Sequence, residues 1–358
     1  MQLEILERHQ AKNINQQEWL DLAEHAIEKN PFYEYWSLLP ALKWLETQAN
    51  IKIITIRKKN KLVALFPIKI IGQLPLIRIL SFWKHEHCFL TTPLISSSIC
   101  WEDIFQQLQN RLRTSVIYVN SHNLNFSIER FPFYCRVFFR PSVSHPRSWE
   151  MYEASLPSKR KKEYRRICKR LFNQGEINFS ANLTENLHVI MDNFIELEAS
   201  GWKGISGDAL AKNPSQLHYY FDLIKKAKSL KKVHFNQIQL NNQPIAISFG
   251  FKTGDYFFEI KTAYSESYRA LYPGVVLELK NLANYNKHNY IEVDSCTNPD
   301  NFVISRMWPD QKIIMNSWIF RNLMLQIGFR LCYPVLRHLK KLAQHLFSRQ
   351  TNTIGPKK

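Results

Sequence analysis

The sequence predicts an α/β fold built from one unit used twice. Three observations lead there. Some segments carry apolar residues at helical spacing and others alternate at strand spacing. The order helix, hairpin, strand, helix, strand occurs twice. At 358 residues the chain is also long for a single core and calls for two domains.

In the first half, QQEWLDLAEHAIEKN (16–30) has helical periodicity. IKIITIRKKNKLVALFPIKI (51–70) reads as a hairpin turning at KKNK, and SFWKHEHCFL (81–90) as a strand. WEDIFQQLQNRL (101–112) is a helix and SVIYVNS (115–121) a strand. The second half repeats the plan. LHVIMDNFIELEAS (187–200) is a helix, VHFNQIQLNNQPIAISFGFK (233–252) a hairpin and DYFFEIKTAY (255–264) a strand. PGVVLELKNLANY (273–285) is a helix and YIEVDS (290–295) a strand. Asn60 and Asn242, at the two hairpin turns, lie 182 residues apart, and the final strands, starting at 116 and 290, lie 174 apart. Loop-length drift explains the difference, so we read a duplication. The expected units are 1–145 and 146–316, joined through RPSVSHPRSWE (140–150), with a basic amphipathic tail at 317–358.

Composition narrows the class. The chain is 45% hydrophobic and 22% charged, which is globular rather than disordered. A net charge of +18 favours anionic partners: nucleic acid, an anionic lipid surface or a phosphorylated small molecule. Six cysteines with no Cys-x-x-Cys pair exclude a zinc ribbon and suit a reducing compartment. KHEHC (84–88) would place His85 and His87 on one side of a strand, but no second ligand cluster accompanies it, so no metal is expected. The N-terminus has no apolar core of signal-peptide length, and the expected location is cytoplasmic.

The stretch YRALYPGVVLELK (268–280) places a basic residue, a proline and a glycine between a strand and a helix. One reading is anion binding. The orphan amides of Gly274, Val275 and Val276 would face a phosphate at the positive end of the helix dipole, Pro273 would lose no hydrogen bond at the first position, and Arg269 would add a charged contact. The other reading is plain turn chemistry. The equivalent helix of the first half opens with Glu102 and Asp103, which would repel an anion.

These residues resemble the GNAT acyltransferases, in which a strand, a phosphate-binding turn and a helix hold acyl-CoA. Three segments are similar to the cellulose-biosynthesis (CelD-type) acetyltransferases: the basic stretch SLPSKRKKEYRRICKRLFNQG (155–175), FIELEASGWKGISGDAL (194–210), and YRALYPGVVLELKNLANYNKHNYIEVDSC (268–296). The resemblance covers nearly the whole chain, because that family carries a degenerate first GNAT-like half. It departs after Asp294, where the family's glycine is missing from VDSCTNPDNF, and at Arg306, where the family has lysine. More distant relatives are the FemABX-type aminoacyltransferases, which use aminoacyl-tRNA.

The resemblance implies two tandem GNAT-like domains with mixed, mostly antiparallel sheets flanked by helices, the first degenerate and the second binding acetyl-CoA. It implies transfer of an acyl group, acetyl by expectation, to an amine or hydroxyl of a sugar or cell-envelope precursor. It also implies a strand splayed from its neighbour, with the pantetheine arm on the backbone near Thr262 and Ala263. Glu259 is the candidate general base, against a solvent-facing residue with Lys261 on the same face. Tyr264 either protonates the departing thiolate or packs. Asp294 either orients substrate or caps the next turn. Trp202 and Lys203, in the Gly-Trp-Lys-Gly turn, either contact substrate or merely end the helix before them, and Arg306 is a further candidate substrate contact. Residues 158–171 form a helix with one cationic face, which is either merely solvated or faces an anionic acceptor or membrane. No base-stacking motif accompanies it, so nucleic acid enters only through the tRNA alternative. A third alternative is a non-catalytic acyl-CoA-binding module. The run 317–347 interleaves apolar and basic residues around Pro334, too interrupted to span a bilayer. It reads either as a helix on an anionic membrane surface or as a packing element.

Overall fold

The computed structural model describes residues 1–74, 77–123, 131–201, 207, 209–297 and 301–334. The first half runs β1 (Gln2–Glu7), α1 (Gln16–Glu24), α2 (Tyr35–Trp44), β2 (Ile51–Lys58), β3 (Lys61–Leu74), β4 (Ile77–Phe82), β5 (Leu94–Ile95), α3 (Trp101–Leu112), β6 (Val116–His122) and β7 (Phe133–Ser144). The second runs α4 (Trp149–Ser155), α5 (Ser158–Phe172), β8 (Ile177–Leu183), α6 (Leu187–Ser200), α7 (Pro214–Ser229), β9 (Val233–Leu240), β10 (Gln243–Thr253), β11 (Tyr256–Tyr264), α8 (Pro273–Tyr285), β12 (Glu292–Asp294), α9 (Phe302–Met307) and β13 (Asp310–Phe320). Helix α10 follows at 323–334.

Both expected hairpins form, and for the same local reason. Lys59 and Asn60 have φ of 50° and 61°, and Asn241 and Asn242 have 48° and 64°. Two consecutive left-handed residues make the turn whose twist matches that of paired strands. In each half the hairpin leads into one parallel pair, β4 with β6 and β11 with β12. The other pairings are antiparallel.

The strands form a single sheet in the order β1-β2-β3-β4-β6-β13-β7-β12-β11-β10-β9-β8, with β5 beside β3. The halves therefore exchange their last strands. β7, which ends the first half, lies against β12 of the second. β13, which ends the second, lies against β6 of the first. The two exchanged strands pair with each other from Asp310↔Ser142 to Ile319↔Phe133. The core also crosses the halves. Trp36 packs on Phe251 with ring centroids 5.1 Å apart, and buried Glu34 accepts from Lys232 at 2.6 Å and from Thr253.

Three expectations are corrected. The strand expected over 81–90 ends at Phe82, because the chain turns back at His85, where the Cys88 amide donates to the His85 carbonyl. The expected junction 140–150 begins inside β7, since Arg140–Ser142 pair with β13 and Ser142–Ser144 with β12. The expected tail start at 317 falls inside β13, whose ladder with β6 holds the chain in the sheet to Phe320.

Candidate functional site

The parallel pair β11/β12 holds for only three positions, from Tyr256↔Glu292 to Phe258↔Asp294. Beyond it the strands part, and residues 259–264 present an open backbone edge. A cleft of about 430 Å³ occupies the gap. Glu259, Thr262, Cys296 and Trp308 line it from the second half, and Glu86, His87 and Phe89 from the first. The first-half loop is held there by a hydrogen bond from Gln216 of α7 to Glu86 at 2.7 Å. A small crevice lined by Thr262, Ala263, Tyr264 and Gly201 continues along the same edge. At its end lies the α8 N-terminus, where Gly274 sits against the Tyr264 ring.

A bulge decides which way Glu259 points. Phe249 pairs Lys261, but Gly250 pairs Glu259, so Ile260 is an extra residue on β11. The bulge breaks the alternation and puts Glu259 and Lys261 on opposite faces. Lys261 reaches Glu198 on α6 at 2.9 Å. Glu259 reaches α8 instead and is 6% exposed, which removes the solvent-facing alternative. Gly250 permits the bulge by close approach, since a Cβ there would lie 2.4 Å from the Phe258 carbonyl oxygen.

Glu259 does not stand alone. It accepts from Tyr285, from Thr262 at 3.4 Å and from Glu278. Glu278 is itself buried and accepts from Trp308 Nε1 at 2.6 Å. Burial raises both carboxyls. In Glu278 the neighbouring Glu259 charge adds to it and the rise is large, while in Glu259 the donated hydrogen bonds oppose it. Two carboxyls this close share one proton. Glu278 holds it and donates, and Glu259 remains the acceptor at the cleft wall with a pKa above the ordinary carboxylate range. Asn281 extends the network to Ser248 at 3.0 Å and receives a bond from Asn236 at 2.9 Å.

The other expected residues fall into three groups. Thr262, Ala263, Tyr264, Pro273, Gly274 and Val275 lie along one track from the cleft to the α8 terminus. Arg269 stands exposed beside it, its nearest acid Glu266 at 4.0 Å. Val276 is corrected: its amide donates to the Tyr272 carbonyl at 3.1 Å. Tyr272 is the N-cap, so 276 is the fourth helical position and makes the first intrahelical bond. The orphan amides are those of Gly274 and Val275.

The second group lies away from the cleft. Asp294 is enclosed by Arg140 at 3.2 Å and Lys312 at 3.5 Å, and its carboxylate accepts from the Cys296 amide at 2.8 Å. Burial pushes this carboxyl up, but the two cations outweigh it and hold it below its ordinary value. Asp294 therefore caps the turn and ties β12 to its neighbour β7 and, one strand further, to β13. Arg306 stacks on Phe302 and lies 3.9 Å from Glu163 of α5, outside the cleft lining. Trp202 and Lys203 form the third group, outside the described residues. His85 and His87 are buried among Trp83, Tyr219 and Tyr220. Among the described residues no cluster of three or more His, Cys, Asp or Glu could hold a metal ion.

A doubled α/β sheet, a parallel pair splayed beside a buried carboxylate, and a helix whose open N-terminus ends the splayed edge define the GNAT fold. Residues 158–302, in the second half, match the family model for the acetyltransferase (GNAT) domain. No curated protein matches the sequence. Solved structures share the fold over most of the chain. FemX is 8% identical, covering 92% of this chain and 99% of its own, with a TM-score of 0.53. L-PGS from Bacillus licheniformis is 8% identical, covering 90% and 97%, at 0.54. The C-terminal domain of a putative lysylphosphatidylglycerol synthetase from Agrobacterium fabrum is 9% identical, covering 88% and 95%, at 0.52. At these identities the likeness is one of fold.

Proposed function

We propose that the protein transfers an acyl group from a CoA thioester to an amine or hydroxyl acceptor. The observation that carries this reading is Glu259: a buried carboxylate with raised pKa on the wall of the cleft opened by the β11/β12 splay. The diphosphate would sit at the Gly274 and Val275 amides with Arg269 beside it, and the pantetheine arm along the open edge at Thr262 and Ala263. The thioester would then lie at the mouth of the cleft. Glu259 takes the proton of the attacking acceptor as the new bond forms, and the thiolate leaves toward Tyr264, the only expected proton donor on the track. A base with raised pKa works closer to neutrality, where it is both deprotonated and a better proton acceptor. Acetyl is the proposed group, and a sugar or other cell-envelope precursor the proposed acceptor, on the resemblance of the three segments to the CelD-type proteins.

Aminoacyl transfer from tRNA is the second reading. The FemX and lysylphosphatidylglycerol synthetase folds and the cationic face of α5 favour it. One experiment separates the two: calorimetry against acetyl-CoA, CoA and an aminoacyl-tRNA, followed by turnover of the Glu259→Gln variant with the ligand that binds. Removing a general base should lower turnover by about 10²- to 10⁴-fold and leave CoA affinity nearly unchanged. Binding of tRNA and not of CoA would replace the first reading with the second. Unchanged turnover would remove Glu259 from the mechanism.

A further inference from the structure

We propose that α10 docks the protein on an anionic lipid surface. The helix is apolar on two opposite faces. One face is already used: Phe329 lies 5.4 Å from Trp318 and 5.6 Å from Tyr134, ring centroid to ring centroid, and Tyr333 lies 5.2 Å and 5.6 Å from the same two rings. Polar bonds fix the seat, from Gln326 to the Phe133 carbonyl at 2.6 Å and from Arg136 to the Tyr333 hydroxyl at 3.1 Å. At 3.6 residues per turn, Met324, Ile327 and Leu331 fall on the far side and Leu323 on its flank. Met324, Ile327, Leu331 and Leu323 are 81%, 47%, 71% and 59% exposed. Met324 and Leu331 are the two most exposed large apolar side chains among the described residues. A helix wedged against the sheet by one aromatic face has no packing reason for a second, aliphatic one. Large exposed apolar stripes mark contact surfaces.

Charge selects the occupant. From Ile313 to Lys358 the sequence has no Asp or Glu and eight Lys or Arg: Arg321, Arg330, Arg337, Lys340, Lys341, Arg349, Lys357 and Lys358. Arg321 precedes the helix and Arg330 borders its stripe, both exposed. A second copy of this chain, docking through the same stripe, would bring cation against cation and pay for the like charge. Nucleic acid would satisfy the cations but leave the aliphatic groups without a partner, because its phosphate contacts gain nothing from Leu or Met. A lipid surface takes both: the acyl boundary buries the stripe while anionic headgroups meet the arginines. The contact is peripheral, since no described helix is long and apolar enough to cross a membrane.

The test uses the full chain and sedimentation with phosphatidylcholine vesicles with and without phosphatidylglycerol. The parent is expected in the pellet with phosphatidylglycerol vesicles only, and to leave it at about 0.5 M salt, where exposed charges are screened. The Met324→Glu/Leu331→Glu double variant alters only solvent-facing side chains. It is expected to lose vesicle binding by at least about tenfold, with circular dichroism, melting temperature and CoA affinity unchanged. Met324→Ile/Leu331→Ile should restore it. Three results would overturn the proposal: a parent that stays in the supernatant with anionic vesicles, a Glu variant that binds them as the parent does, or a parent dimer in light scattering that the Glu variant dissociates. Loss of CoA binding in every form would count against the acyltransferase reading and leave the docking surface standing.

Discussion

Glu278 is the residue that shares a proton with Glu259, and it makes a pH prediction with a definite sign. Its carboxyl is raised in the fold, so folding favours its protonated form. Stability from that proton is full below the ordinary carboxylate pKa of about 4.3 and is lost as pH rises through the folded value. The parent should therefore melt progressively lower from pH 5 toward pH 8. Glu278→Gln keeps a donor toward Glu259 and an acceptor for Trp308 without needing a proton, so its melting temperature should fall less over the same range. Parallel parent and variant curves would show that the pair does not share a proton. Turnover gives a second reading: Glu278→Gln keeps the hydrogen bond that opposes the rise of the Glu259 carboxyl, so the acidic limb of the pH–rate profile should stay where the parent has it. Glu278 was legible in part. Glu278, Asn281 and Tyr285 stand at i, i+3 and i+7 in PGVVLELKNLANY, so a polar stripe runs along a helix otherwise rich in Val and Leu. Nothing in that spacing says that the stripe faces a carboxylate on a strand.

At the scale of elements, the β11 bulge and the α8 N-terminus carry the site. The bulge rests on Gly250. Gly250→Ala would drive a methyl into the Phe258 carbonyl and the Phe257 ring, 2.4 Å from each. The strands must separate or the bulge must move, at a cost of about 1–3 kcal/mol, and Glu259 should lose its seat. Thermal melting and turnover should both fall. Normal turnover in a folded alanine variant would show that the bulge does not aim Glu259. Gly274 has a different reason to be glycine. A Cβ there would lie 3.1 Å from Tyr264 Cδ1, so Gly274→Ala displaces a ring on the cofactor track and is no neutral control. Arg269→Glu is the cleaner test, because its side chain stands in solvent. It should weaken CoA binding by about tenfold or more, or ~1.4 kcal/mol, with no change in melting. Unaltered affinity in calorimetry would reduce the Pro-Gly turn to a strand-to-helix connection.

At the scale of the molecule, strand exchange makes the two halves one unit. Arg140 on β7, Asp294 and Glu292 on β12 and Lys312 on β13 form one buried ion cluster across the exchanged strands. Asp294→Asn leaves two buried cations short of charge and should cost about 3–5 kcal/mol. Calorimetry should show a single unfolding transition in the parent, and residues 146–316 expressed alone should give no cooperative melt, because β12 would lose β7 and β13 would be cut short. Two separated transitions, or a folded 146–316 fragment, would refute this coupling. The sequence by itself determined what depends on neighbours along the chain: both hairpins, through turns whose residues accept left-handed backbone, the helices at 101–112, 158–171, 187–200 and 273–285, through apolar periodicity, and the repeat of the unit. It also carried Glu259, as a lone acid in an aromatic strand. Tertiary structure alone decided the rest. β7 and β13 find their partners more than a hundred residues away, the bulge exists only in the β10/β11 ladder, and the Glu259–Glu278 pair joins two elements that approach only when α8 packs on the sheet. Local pattern records which face of a segment is apolar. It does not record which distant strand will cover that face, because that choice is made by the packing of the whole sheet.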